Sequence, residues 1–170
     1  MPKKESYQRG MTKKEVYSKL DGLKTNEGKA KYLDKILSKK GLLTPETYKV
    51  VQESADEMYE KAAVWAAEER RFEYAGELAK KIGDKKLRDK VYGEVAMKAA
   101  RALRGEFFYA EELAKKIGDK KLRDEVYGEV ALEAARKGWS SGAVEFIWKI
   151  GNKKLANDIR KRLEKESKKK

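Results

Sequence analysis

Apolar residues recur at three- and four-residue spacing along nearly the whole chain, and nowhere do they alternate with the two-residue rhythm of a strand. The spacing predicts helices only. Thr12-x-x-Glu15 has the form of a capping box, so a short helix starts at Lys13 and ends at Asp21-Gly22. Ala30, Leu33, Ile36 and Leu37 share a face and place a second helix from about Glu27 to Lys39, with Gly41 as a left-handed stop. Thr44-Pro45 restarts the chain as a cap followed by a proline whose missing amide costs nothing at that position. The third helix runs from about Pro45 to Glu69, and its buried stripe is Tyr48, Val51, Ala55, Met58, Ala62 and Ala66.

From here the pattern repeats itself. Residues 77–96 recur almost letter for letter as 112–131, and a more divergent copy begins at Phe146. The marker glycines Gly83, Gly118 and Gly151 are 35 and 33 residues apart, a period typical of stacked helical repeats. The second half of the third helix belongs to the array, since Asp56-x-Met-Tyr59 aligns with Asp89-x-Val-Tyr92 and Asp124-x-Val-Tyr127. Each unit is a longer helix, a tight turn and a shorter helix, the shorter ones being about Phe72–Ile82, Glu106–Ile117 and Ser140–Ile150. Gly83-Asp84, Gly118-Asp119 and Gly151-Asn152 each stop one helix and cap the next. A last helix, about Lys154 to Lys165, is apolar at Leu155, Ile159 and Leu163 and otherwise polar, as an end cap must be. Ala63, Ala75, Ala79, Ala96, Ala110, Ala114, Ala131 and Ala143 are placed for close helix crossings, with Leu78, Ile82, Leu113, Ile117 and Ile150 filling between hairpins.

At 170 residues the chain suits one domain with a real core. Within it, 1–11 reads as a flexible basic tail, 12–43 as an N-terminal helical cap, 44–151 as three hairpin repeats, 152–165 as the capping helix and 166–170 as a lysine tail. The composition, 40% hydrophobic and 42% charged, excludes a membrane-embedded protein and a disordered one. No apolar leader begins the chain, so the expected location is cytoplasmic. Abundant Lys and Glu with no Cys or His fit a heat-adapted composition. The net charge of +13 sits at the ends: residues 1–14 carry five Lys and Arg against one Glu, and residues 149–170 carry ten against three acids. Such ends either solubilise the chain or attract phosphate or an acidic surface.

The units resemble the tetratricopeptide-like helical repeats. The similarity lies in Arg70-x-Phe72-x-x-Ala75-x3-Ala79 and Gly105-x-Phe107-x-x-Ala110-x3-Ala114, and more weakly in Gly138-x-Ser140-x-x-Ala143-x3-Ile147. It covers residues 56–165. The prolines usual at the ends of such repeats are replaced by Gly-Asp, since Pro2 and Pro45 are the only prolines. The resemblance implies a non-catalytic scaffold for proteins, and occasionally for RNA.

Chemistry is sparse. Without His or Cys the chain lacks the commonest proton shuttle, the thiol nucleophile and the usual zinc ligands, and its glycines lie at separate helix ends rather than in a phosphate-cradling loop. Adjacent carboxylates such as Glu111 and Glu112 diverge on a helix, and Ser140-Ser141 reads as a helix cap. No enzyme, cofactor or metal site is expected.

Three features are candidate binding surfaces. A lysine ridge runs around the turns: Lys80, Lys81, Lys85, Lys86 and Arg88, then Lys115, Lys116, Lys120, Lys121 and Arg123, then Lys149, Lys153 and Lys154. Lysine in a first helical turn opposes the helix dipole at a cost of about 0.3–1 kcal/mol, so its recurrence points to an external anion. Against this stands a merely duplicated solvated turn, partly neutralised by Asp84, Asp89, Asp119 and Asp124. Trp65, Trp139 and Trp148 each occupy a position that is charged in the other copies, which marks either internal capping or a partner or dimer surface. Tyr59, Tyr92 and Tyr127 recur once per unit, for core packing or as a ladder along a groove.

The expected architecture is an all-α, right-handed α-solenoid of about three helix-turn-helix repeats between an N-terminal helical cap and a C-terminal capping helix. Its expected role is to hold a macromolecule with an acidic surface. The alternatives are RNA or a ribonucleoprotein such as the ribosome, and self-association as a homodimer; no membrane contact is expected.

Overall fold

The computed structural model describes residues 11–39, 43–102 and 105–167, with the side chains of 166 and 167 left aside. The tail at 1–10, the glycine stop at Gly41 and Lys168-Lys169-Lys170 lie outside the described residues. Within them the chain is all-α: α1 (Lys13–Leu20), α2 (Asn26–Leu37), α3 (Pro45–Glu68), α4 (Phe72–Lys80), α5 (Lys85–Arg101), α6 (Phe107–Lys115), α7 (Lys120–Arg136), α8 (Ser140–Lys149) and α9 (Lys153–Ser167). The only strand-like pairing among the described residues is one backbone bridge between Met11 and Leu43, which ties residue 11 to the entry of α3 instead of leaving it in the tail.

Helix starts follow the capping logic. Thr12 and Glu15 form the reciprocal box, and Thr25, Thr44, Asp84 and Asp119 each accept an amide from the first turn. The short helices α4 and α6 end two residues before the periodicity predicts. The amides of Lys81, Ile82, Lys116 and Ile117 bond three residues back, tightening the last turn so that Ile82 and Ile117 enter the core.

Long helices α3, α5, α7 and α9 pack in succession, and each short helix packs on the long helix before it and the one after it. One core cluster runs through these units, carrying all eight of the crossing alanines named above. A second, formed by Val16, Leu20, Leu33, Ile36, Val51 and Ala55, holds α1 and α2 against the first half of α3, and Met58 touches both clusters. Each fully buried Leu, Ile, Val or Phe in these clusters contributes about 1.5–3 kcal/mol. Tyr48 departs from its expected place: it is 47% exposed, because Val51 and Ala55 already fill the inner face of the opening turns of α3.

The long-to-short turns share a left-handed residue. Arg70, Gly105 and Gly138 stand at equivalent positions with φ of 60°, 62° and 81°. After the first and third, an amide bonds five residues back, Arg71 to Ala66 O and Trp139 to Ala134 O. The middle link carries two more residues, Leu103 and Arg104, which accounts for the unequal period and lies outside the described residues. Ser140 and Ser141 do not cap α8: its N-cap is Trp139, with no side-chain cap bond, and the turn is closed by backbone instead.

Candidate binding surface

Three buried aspartates organise the edge where the lysines lie. Asp56, Asp89 and Asp124 sit on α3, α5 and α7, each 4% exposed. Asp56 accepts the backbone amides of Gly83 and Asp84, both at 2.8 Å. Asp89 does the same for Gly118 and Asp119, and Asp124 for Gly151 and Asn152. Each long helix therefore clamps the turn that precedes the next one. Two of these aspartates, Asp89 and Asp124, counted in the sequence as partial neutralisers of the ridge, have their carboxylates directed inward at backbone instead.

The clamps fix where the lysines go. A Cβ at Gly118 would stand 3.0 Å from Lys85 Cε, and one at Gly151 would stand 3.1 Å from Lys120 Cε. Lys85 and Lys120 thus lie across the glycine of the following turn, each spanning from one turn to the next. Gln52 holds the equivalent place one unit earlier and donates to Asp56 at 3.0 Å. Lys80, Lys85, Lys86, Lys120, Lys153 and Lys154 are exposed and have no ion pair among the described residues.

Other members of the ridge have internal work. Arg88 donates to Ile82 O at 3.1 Å, and Arg123 reaches Ile117 O at 3.5 Å, so both brace the end of the preceding short helix. Lys81 lies 5.3 Å from the ring centre of Tyr59, and Lys116 lies 5.9 Å from that of Tyr92. Lys115 bonds Glu111 at 2.8 Å and Glu112 at 2.9 Å, and Lys149 reaches the same Glu111 at 3.1 Å. Lys115 above all, with Lys149 adding to it against a smaller opposing effect of burial, holds the Glu111 carboxyl below the usual carboxylate range. Lys121 is 3.8 Å from Glu125, a loose contact between exposed groups.

The aromatic candidates divide. Tyr59, Tyr92 and Tyr127 are buried in the core, so they form no open ladder, and burial pushes each phenol upward. The Tyr59 hydroxyl also donates to Asp34 on α2, tying the N-terminal helices to the first unit. Trp139 packs 5.1 Å from Phe107 and edge-on to Phe146 at 6.1 Å, over a glycine whose Cβ would meet the indole at 2.2 Å. One face of the indole is packed, and the side chain is still 39% exposed. Trp65 is half exposed, and Trp148 is 78% exposed. Phe108, not among the sequence candidates, is 70% exposed; its signal is an aromatic where the other copies have Glu73 and Ser141.

Among the described residues no group of three or more acidic, His or Cys side chains is placed to hold a metal, and no helix is long and apolar enough to cross a membrane. Compared with known protein families, curated proteins and solved structures, the chain finds no match.

Proposed function

We propose that the chain is a non-catalytic, tetratricopeptide-like scaffold, its units wound as a right-handed α-solenoid, that holds an acidic protein surface along the lysine edge. The observation that carries this reading is the placement of Lys85 and Lys120 across successive turns, with Lys80, Lys86, Lys153 and Lys154 exposed and unpaired among the described residues. Three clamped turns in sequence present cations at a repeating interval, and Lys85, Lys86, Lys120, Lys153 and Lys154, in the first turns of α5, α7 and α9, each oppose a helix dipole. An external acid relieves both costs at once. The RNA alternative would use the same lysines and the basic ends against phosphates; burial of Tyr59, Tyr92 and Tyr127 removes only the tyrosine ladder as a stacking platform.

The test is a titration by fluorescence anisotropy with labelled poly-glutamate and with single-stranded poly-uridine, over a salt series. The comparison variant is the quadruple Lys85→Glu, Lys86→Glu, Lys120→Glu, Lys121→Glu, with its helicity checked by circular dichroism. Poly-glutamate binding should weaken by about tenfold or more in the variant, corresponding to about 1.4 kcal/mol. Equal binding by the folded variant overturns the reading. Tighter binding of poly-uridine, with log K falling by about 0.7 per contacted phosphate for each unit of log salt, selects the RNA alternative.

A further inference from the structure

The seams between short helices follow one rule, and the first seam breaks it. At the α4–α6 seam, Phe72 lies 6.1 Å from Tyr109; at the α6–α8 seam, Phe107 lies 5.1 Å from Trp139 and 6.3 Å from Phe146. In both cases the aromatic stands three residues before a buried alanine, Ala75 or Ala110. On α2 the residue three before buried Ala30 is Glu27, and it faces Tyr74, the counterpart of Tyr109. A carboxylate thus occupies the place of a phenyl ring.

The missing volume is still there. Glu27, Ala62, Trp65, Arg71, Tyr74 and Leu78 line a cavity of about 360 Å³ between α2, α3 and α4. That is within the range of about 300–1,000 Å³ typical of sites for small ligands. Trp65 supplies a half-exposed indole where the later units have Lys98 and Glu133. Glu27 is paired with Lys31 at 2.5 Å, which above all holds its carboxyl below the usual carboxylate range, with Tyr74 and, more weakly, Arg71 adding to the effect. Arg71 lies over the Tyr74 ring at 4.4 Å, an arrangement that leaves guanidinium N–H groups for a carboxylate, and Lys24 adds a second cation at the mouth.

We propose that this cavity receives one aromatic side chain, phenylalanine or tyrosine, from a partner peptide with acidic residues on either side of it. The repeat itself supplies the template for the ring, and Arg71 and Lys24 supply the charge complement for its neighbours. The site is separate from the lysine edge and stands or falls independently of it.

The experiment uses the full chain and two probes, acetyl-Glu-Asp-Phe-Asp-Glu-amide and the same peptide with alanine for phenylalanine. Binding is followed through the Trp65 indole N–H in a ¹⁵N–¹H spectrum, with the signal assigned by its loss in Trp65→Lys. The phenylalanine peptide should bind about tenfold or more tightly than the alanine one, as expected for burying one ring, and should move the Trp65 signal. Glu27→Phe, which fills the cavity as the other seams are filled, should remove that preference and raise thermal stability. Trp65→Lys, titrated by fluorescence anisotropy of the labelled peptides because its own indole signal is gone, should weaken it. The lysine-edge variant should retain it, so that failure of the edge and failure of the cavity give different results. Equal affinity for the two peptides, or an unchanged preference in folded Glu27→Phe, overturns the proposal.

Discussion

The carboxylate of Asp89 accepts the backbone N–H of Gly118 at 3.0 Å, across 29 residues of sequence. Its other oxygen takes the N–H of Asp119 at 2.8 Å. One side chain of α5 therefore fixes the turn from which α7 starts. Hydrogen bonds to a charged group contribute about 1.5–3 kcal/mol, so Asp89→Ala should lower stability by about 2–3 kcal/mol. Asp89→Asn should fall between, since its amide oxygen can accept one donor while its NH₂ faces the other. Urea denaturation of the three proteins gives the order; an alanine variant as stable as the parent would show the clamp to be inert.

Arg70 has φ of 60°, where the other two units use glycine. Left-handed backbone costs a side-chain-bearing residue about 1–2 kcal/mol. Arg70→Gly removes that strain but also the Arg70–Glu106 pair at 3.0 Å, which between exposed groups is worth about 0–1 kcal/mol. The net expected change is a gain of up to about 1 kcal/mol. Gly138→Ala, where open space surrounds the added methyl, should lose about 1–2 kcal/mol through backbone strain alone. Matched thermal melts of the two variants should move in opposite directions.

Glu111 joins α6 to α8 through Lys149 and is held below the usual carboxylate range chiefly by Lys115. A carboxyl whose folded value is depressed binds protons more readily in the unfolded chain. Its contribution is therefore complete above the unfolded value of about 4.3 and disappears as pH falls through the lower folded value. Glu111→Gln should cost about 0.5–1 kcal/mol at neutral pH, and the gap should close on acidification through that window. Denaturation midpoints at pH 7 and below pH 4 measure it; a gap that widens in acid contradicts the assignment.

Two tryptophans should behave differently. Trp139→Ala removes an indole packed on Phe107 and Phe146 and should cost about 2 kcal/mol, less than the roughly 3–5 kcal/mol of a fully buried ring. Trp148→Lys restores the residue type of the earlier copies at an exposed site and should change stability by no more than about 0.5 kcal/mol. If α8 forms a dimer contact, light scattering will show a loss of mass on Trp148→Lys with stability otherwise unchanged.

The helices, their caps and the buried alanines were legible because each rests on spacing or on neighbours within four residues. What the sequence hid depends on distance. Asp56, Asp89 and Asp124 showed their recurrence and their charge but not their direction, and a charge beside lysines suggested neutralisation where the fold uses an acceptor for amides. Arg88 and Arg123 looked free for the same reason. Ser140 had the composition of a cap, yet the closing bond comes from Trp139 and Ala134. The cavity at Glu27 is defined by a side chain that is smaller than Phe72 and Phe107 at the equivalent places, which becomes visible only when the seams are compared in space.

The clamps also make the chain divisible. Removing residues 85–119 would join Asp84 to Lys120, leaving Asp56 with the amides of Gly83 and Asp84 and Asp124 with those of Gly151 and Asn152. No donor or acceptor in the set would be stranded, and a tandem copy of the same stretch would be taken in on equal terms. The length of the edge is thus adjustable in whole steps, as a ruler is marked, without redesigning either end.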